Sequence, residues 1–202
     1  VTESPANPTP AHVPTLNIAN VLTTLRIIMV PFFIWALVAD EKDYGLMRWV
    51  ALAIFAVAMY TDKLDGDLAR SRGLITNFGK IADPIADKLL TGSALVMFSI
   101  LGELAWWITI VILVREWGIT AVRFVVIRYG VMAASRGGKL KTVLQAAAIL
   151  LYLLPWAHTV GWLGVVAFIV MLLALAVTVV TGLDYLFKAW QLRAASVGGT
   201  RK

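Results

Sequence analysis

Six runs of apolar residues constrain this chain more than any other feature, because each is close to the roughly 20 residues that cross a bilayer as one helix. They fall at about Asn20–Ala39, Leu46–Ala69, Ile81–Leu101, Ala105–Tyr129, Lys139–Trp156 and Val160–Phe187. Of the 202 residues, 60% are hydrophobic, and the mean hydropathy is +0.82. So little polar surface cannot coat a globule in water, which makes lipid the expected solvent. Long unbroken runs also argue against a closed barrel of short alternating strands. The predicted fold is all-α: a polytopic membrane protein with six transmembrane helices around one core.

The flanks of these runs set the expected orientation. Lys and Arg collect in the second loop (Arg70, Arg72, Lys80), the fourth (Arg128, Arg136, Lys139, Lys141) and the C-terminal segment (Lys188, Arg193, Arg201, Lys202). The third and fifth loops carry none, and in the first Lys42 and Arg48 are diluted by Asp40, Glu41 and Asp43. The excess of positive charge on cytoplasmic loops then puts loops two and four and both termini in the cytoplasm, in the cell membrane. Residues 1–16 hold four prolines and read as a disordered tail with no basic leader region. Residues 17–190 form the membrane domain, and 191–202 form a basic tail. The net charge of +6 points to anionic lipid and not to nucleic acid. Trp106, Trp107, Trp156 and Trp162 are expected to form an aromatic belt at the outer interface.

Composition also removes chemistries. Cysteine is absent, so there is no disulfide, thiolate zinc site or Cys nucleophile. The two histidines, His12 and His158, lie far in sequence from the other reactive groups, and His158 reads as a loop residue. Aspartate remains. The second run ends in Thr61-Asp62-Lys63-Leu64-Asp65-Gly66-Asp67-Leu68-Ala69-Arg70, and the third opens with Gly79-Lys80-Ile81-Ala82-Asp83-Pro84-Ile85-Ala86-Asp87. Carboxylates at such depth are costly and mark a functional site by default.

At about 100° per residue, Asp62, Asp65, Gly66 and Ala69 share one helical face, with Arg70 at its edge. Gly79, Asp83 and Asp87 share a face of the next helix, while Asp67 points away. A short loop makes the two helices antiparallel neighbours, so four carboxylates are expected to converge at the cytoplasmic end. They need cations to do so. Oxygen ligands suit Mg²⁺ or Mn²⁺, and two such ions can clamp a phosphoryl group. The glycines leave room for a bulky ligand, and Arg70 can grip phosphate in a two-pronged contact.

The eight positions Asp62-x2-Asp65-Gly66-x2-Ala69-Arg70-x8-Gly79-x3-Asp83-x3-Asp87 match the signature of the CDP-alcohol phosphotransferases, and the chain is identified as resembling that family. The resemblance implies a six-helix bundle, usually a homodimer, with a cytoplasm-facing site. It implies that Asp62, Asp65, Asp83 and Asp87 hold two metal ions and that Asp87 also serves as base for the acceptor hydroxyl. It places Thr23, Gly66, Ala69, Arg70 and Gly79 around the CDP group. Asn17–Arg26, Arg115-Glu116 with Arg123, and Gly138–Gln145 further resemble the phosphatidylglycerophosphate synthase branch, whose substrates are CDP-diacylglycerol and glycerol 3-phosphate. Arg115, Arg123 and Lys139 are the expected grip on the acceptor phosphate, with a structural Glu116–Arg123 pair as the competing account of the fourth helix. Three other activities stay open: phosphatidylinositol phosphate synthesis, cardiolipin synthesis, and cation transport through the aspartates.

Overall fold

The computed structural model of the chain describes residues 18–72, 77–126 and 136–198, and the side chains of all these except residues 19, 65–72, 77–81, 123–126, 136–137 and 192–198. The described residues are helical almost throughout, without a strand. The helices are α1 (Ile18–Asp40), α2 (Leu46–Arg72), α3 (Asn77–Ile100), α4 (Trp106–Val126), α5 (Arg136–Leu153), the single turn α6 (Trp156–Thr159) and α7 (Gly161–Gly198). Each apolar run lies within or largely overlaps a helix. Two helical stretches, Asn20–Asp40 and Gly161–Gln191, are long and apolar enough by themselves to cross a bilayer. The remaining long helices carry charge well inside their length, as Asp62 and Asp65 do in α2 or Arg115 and Glu116 in α4, or are short, as is the 18-residue α5.

Helix ends differ from the sequence reading in physically simple ways. A short turn, α6, precedes the last long helix, and its chain reversal needs Gly164: a Cβ there would lie 2.7 Å from the Ala157 carbonyl oxygen. The backbone of α7 continues to Gly198, into the basic tail, because Lys, Arg, Gln and Ala are good helix formers. Pro84 lies two turns inside α3. Helix α1 packs against both α2 and α3, and α5 and α4 pack against α7. Phe33, Phe55, Phe98, Leu95, Ile108, Ile149 and Met171 fill the core, and fully buried alanines (Ala36, Ala51, Ala58, Ala94, Ala148) let helix backbones approach closely. Outward, Trp35, Val114, Val143, Val180 and Leu183 are exposed, an apolar exterior suited to lipid. The four belt tryptophans are exposed as well.

At the end of the bundle away from the aspartates lies a buried polar knot that the sequence reading missed. Arg48 is completely buried near the start of α2, about 21 Å along the helix from Asp62. Its Nη2 donates to Glu103 Oε2 at 2.5 Å and to the Tyr152 carbonyl at 2.8 Å, and lies 3.1 Å from His158 Nε2. Asp40 stands 3.8 Å from the other guanidinium nitrogen, and Tyr44 stacks on His158 with ring centroids 4.2 Å apart. His158 is therefore packed into this knot and is no free loop residue. The α1–α2 connection pays a conformational cost to reach it, since Glu41, Lys42 and Tyr44 all take positive φ. Burial, followed by the nearby Glu103 carboxylate, pushes the Tyr44 hydroxyl above its ordinary range, so it stays neutral. Arg48→Ala would leave Glu103 and Asp40 buried without their cation. We expect a loss of about 3–5 kcal/mol in an unfolding titration in mixed micelles, with a lowered melting temperature. An unchanged melting curve would show that the knot contributes no stability.

Candidate active site

Helix α1 builds the site, because it touches both aspartate helices. Thr23 and Arg26 are three residues apart and so share one face of α1. Thr23 Oγ1 donates to Asp83 Oδ1 on α3 at 2.6 Å, and Arg26 Nη1 lies 2.6 Å from Asp62 Oδ1 on α2. Thr23 and Arg26 are each 1% exposed, whereas the Asp62 side chain is 42% exposed. The end of α2 and the start of α3 are thus held through a common strut, with α2 and α3 touching each other far less than either touches α1. Asp87, one turn beyond Asp83, lies within electrostatic reach of Arg26, Lys88, Glu116 and Lys141. Charged groups of α1, α3, α4 and α5 therefore act on one carboxylate.

The remaining signature positions fall outside the described side chains. Asp65, Gly66, Ala69 and Arg70 lie in α2, and Gly79 lies in α3, by backbone alone. Arg123 lies in α4 with its side chain likewise undescribed, so the expected Glu116–Arg123 pair is outside the described residues. Among those residues, no three Asp, Glu or His side chains form a ready cage for a metal ion. The donor chemistry nevertheless fits a hard cation. Asp62 and Asp83 are carboxylates that each have one oxygen within 2.6 Å of a group on α1, and the Asp62 side chain is 42% exposed, so an ion can approach it from solvent.

Beside Asp87, a basic cluster joins three helices. Glu116 Oε1 accepts from Arg115 Nη1 at 2.9 Å and from Lys141 Nζ at 2.7 Å. Arg115 Nη2 donates to Thr181 Oγ1 on α7 at 2.8 Å. Gly182 makes room for that guanidinium, since a Cβ there would come within 3.0 Å of Arg115 Cγ and Nε. Two cations and one carboxylate leave an excess of one positive charge. The lysine in this cluster is Lys141; Lys139, the residue expected from sequence, is exposed. Two residues along a helix is a rotation of about 200°, so the two lysines point to opposite sides of α5. An apolar cleft of about 330 Å³ opens between α1, α3 and α4, with Lys88 at its border and Ile34, Gly92, Leu113 and Trp117 among its walls.

Arg26 and Lys141 are the residues that sequence reasoning quoted without a role. For Arg26 the signal was available, as a lone charge in an otherwise apolar run.

Comparison with known proteins gives a consistent picture. Residues 16–180 match the profile of the family described as CDP-alcohol phosphatidyltransferase. The chain is 50% identical over 186 residues to a "Probable phosphatidylglycerophosphate synthase" of Mycobacterium tuberculosis (strain H37Rv), covering 92% of this chain and 86% of that protein. It is 33% identical over 192 residues to the "CDP-diacylglycerol--glycerol-3-phosphate 3-phosphatidyltransferase" of Bacillus subtilis (strain 168), covering 87% of this chain and 96% of the relative. A protein of the same description from Rickettsia felis is 34% identical over 175 residues, 86% of this chain and 94% of its own length.

Proposed function

Because the chain belongs to the CDP-alcohol phosphatidyltransferase family, we propose that it transfers the phosphatidyl group of CDP-diacylglycerol to glycerol 3-phosphate, giving phosphatidylglycerophosphate and CMP. The observation that carries this reading is near-full-length similarity to proteins named for that reaction. The hydroxyl of glycerol 3-phosphate attacks the β-phosphorus of the nucleotide lipid, a new P–O bond forms, and the bond to CMP breaks. Asp87 takes or orients the hydroxyl proton. Asp62, Asp65, Asp83 and Asp87 are the proposed holders of two Mg²⁺ or Mn²⁺ ions, which when bound supply the positive charge that offsets the pyrophosphate. Thr23, Gly66, Ala69, Arg70 and Gly79 are the proposed surroundings of the CDP group. The apolar cleft beside Lys88 suits an acyl chain.

The membrane arrangement belongs to the same proposal: six spanning helices, residues 17–190 as one catalytic domain, the site and both termini on the cytoplasmic face, and a homodimer. Support comes from the Lys and Arg distribution and from the apolar exterior. A site at the cytoplasmic interface gives a water-soluble acceptor and a lipid donor access to the same aspartates.

The test is to incubate purified protein with CDP-diacylglycerol and either glycerol 3-phosphate or inositol phosphate, then identify the lipid formed. A product only with inositol phosphate would overturn the acceptor assignment.

The acceptor phosphate is proposed to sit against Arg115 and Lys141, with Arg123 and Lys139 as further candidates. Lys141→Ala should raise the KM for glycerol 3-phosphate about tenfold or more, the equivalent of a charge-assisted contact of about 1.5–3 kcal/mol. The KM for CDP-diacylglycerol should barely move, and Lys139→Ala should have the smaller effect of the two. Paired saturation curves in mixed micelles decide it. Equal losses for both substrates would move the acceptor pocket elsewhere.

A further inference from the structure

Arg26 puts a permanent positive charge into the aspartate site. It is 1% exposed and 2.6 Å from Asp62 Oδ1, while Asp62 itself is 42% exposed. An ion arriving from solvent can therefore reach the carboxylate with the guanidinium standing behind it. Thr23 makes the corresponding contact to Asp83 with a neutral hydroxyl. Among the described contacts, helix α1 thus presents a cation to Asp62 and a neutral hydroxyl to Asp83.

The sign of the effect follows from charge. A divalent ion on Asp62 would lie within a few ångströms of the guanidinium, in a partly desolvated site. Repulsion between a single and a double positive charge there outweighs the orienting benefit of one contact to the carboxylate. We infer that Arg26 is a built-in counter-cation that competes with divalent ions for Asp62, so that the substrate-free enzyme holds its ion weakly and takes it up together with the nucleotide pyrophosphate. The pyrophosphate brings the negative charge that lets both cations remain. Coupling of this kind is reciprocal, so the ion strengthens nucleotide binding by the same factor. Arg26 acts here as a positioning residue through Asp62, and the inference rests on Asp62 being a metal ligand.

The experiment titrates Mn²⁺ into the full chain in detergent, reading free ion by electron paramagnetic resonance, with and without CDP and with no turnover. For the unaltered chain, CDP should tighten Mn²⁺ binding about tenfold or more. Arg26→Ala and Arg26→Gln should each bind Mn²⁺ about tenfold more tightly without CDP, and the gain from CDP should shrink. Arg26→Lys, which keeps the charge, should behave like the unaltered chain. If Arg26→Ala fails to fold, the Gln and Lys variants carry the comparison. Unchanged or weaker Mn²⁺ binding by Arg26→Gln would overturn the role of Arg26. Asp62→Asn separates the two layers: if it binds Mn²⁺ as well as the unaltered chain, the metal reading of Asp62 fails, and this inference with it.

Discussion

Asp83→Asn is expected to abolish CMP release while leaving the protein folded in detergent. Asparagine keeps an oxygen for the Thr23 hydroxyl, whose contact to Asp83 Oδ1 is 2.6 Å, so the α1–α3 junction survives. What disappears is the negative charge a divalent ion requires. Loss of partners that merely orient metal ligands costs about 10–100-fold, so loss of a ligand's charge should cost at least about a hundredfold. Asp62→Asn and Asp65→Asn should be equally inactive, but Asp62→Asn has a second consequence. It removes the carboxylate charge 2.6 Å from the buried Arg26, and the protein should melt earlier than Asp83→Asn does. The measurement pairs CMP release with melting curves for each variant. Near-normal turnover in any one of them would remove that residue from the proposed ion site.

Removing the ion itself should have an effect as large. In excess chelator, turnover should fall to background and return with Mg²⁺ or Mn²⁺ but poorly with Ca²⁺. The reason lies in ligand geometry. Carboxylates fixed on two helices at a spacing of three and four residues suit compact octahedral coordination at about 2.0–2.1 Å, whereas Ca²⁺ takes more ligands at about 2.3–2.6 Å. Asp62 and Asp83 are each tied by one oxygen to α1, which limits how far they can spread around a larger ion. Full activity in chelator would end the two-ion proposal. Calcium supporting full rates would show that the carboxylates are less constrained than their contacts to α1 imply.

The aspartates were legible because helical periodicity is a local property. Asp62 with Asp65, and Asp83 with Asp87, fall on common faces whatever the helices pack against, and the apolar runs locate the helices themselves. The inward-facing lysine was not legible. Whether Lys139 or Lys141 turns inward depends on which side of α5 packs on α7 and so faces Glu116, and no local pattern fixes that angle. The Arg48 knot was hidden for a related reason. Its members come from the end of α1, the α1–α2 connection, the start of α2, the α3–α4 turn, the end of α5 and α6, and they meet only because three connections close over one end of the bundle. Positive φ at Glu41, Lys42 and Tyr44 shapes one of those connections, and side chains that ordinarily avoid such angles give no warning of it. Helix α7 runs on through the start of the basic tail to Gly198, because a helix accommodates such residues easily.

Helix α1 also has a place in time. It precedes α2 and α3 in the chain, so it is made before them, and on the membrane arrangement proposed above it is in place when they enter the bilayer. Each incoming aspartate helix then meets a partner already waiting, a guanidinium for Asp62 and a hydroxyl for Asp83. A carboxylate inserted beside bare hydrocarbon would face a steep penalty. On the membrane arrangement proposed above, one inserted beside α1 meets a polar partner, so α1 variants that lose these contacts are expected to show reduced insertion before they show reduced turnover.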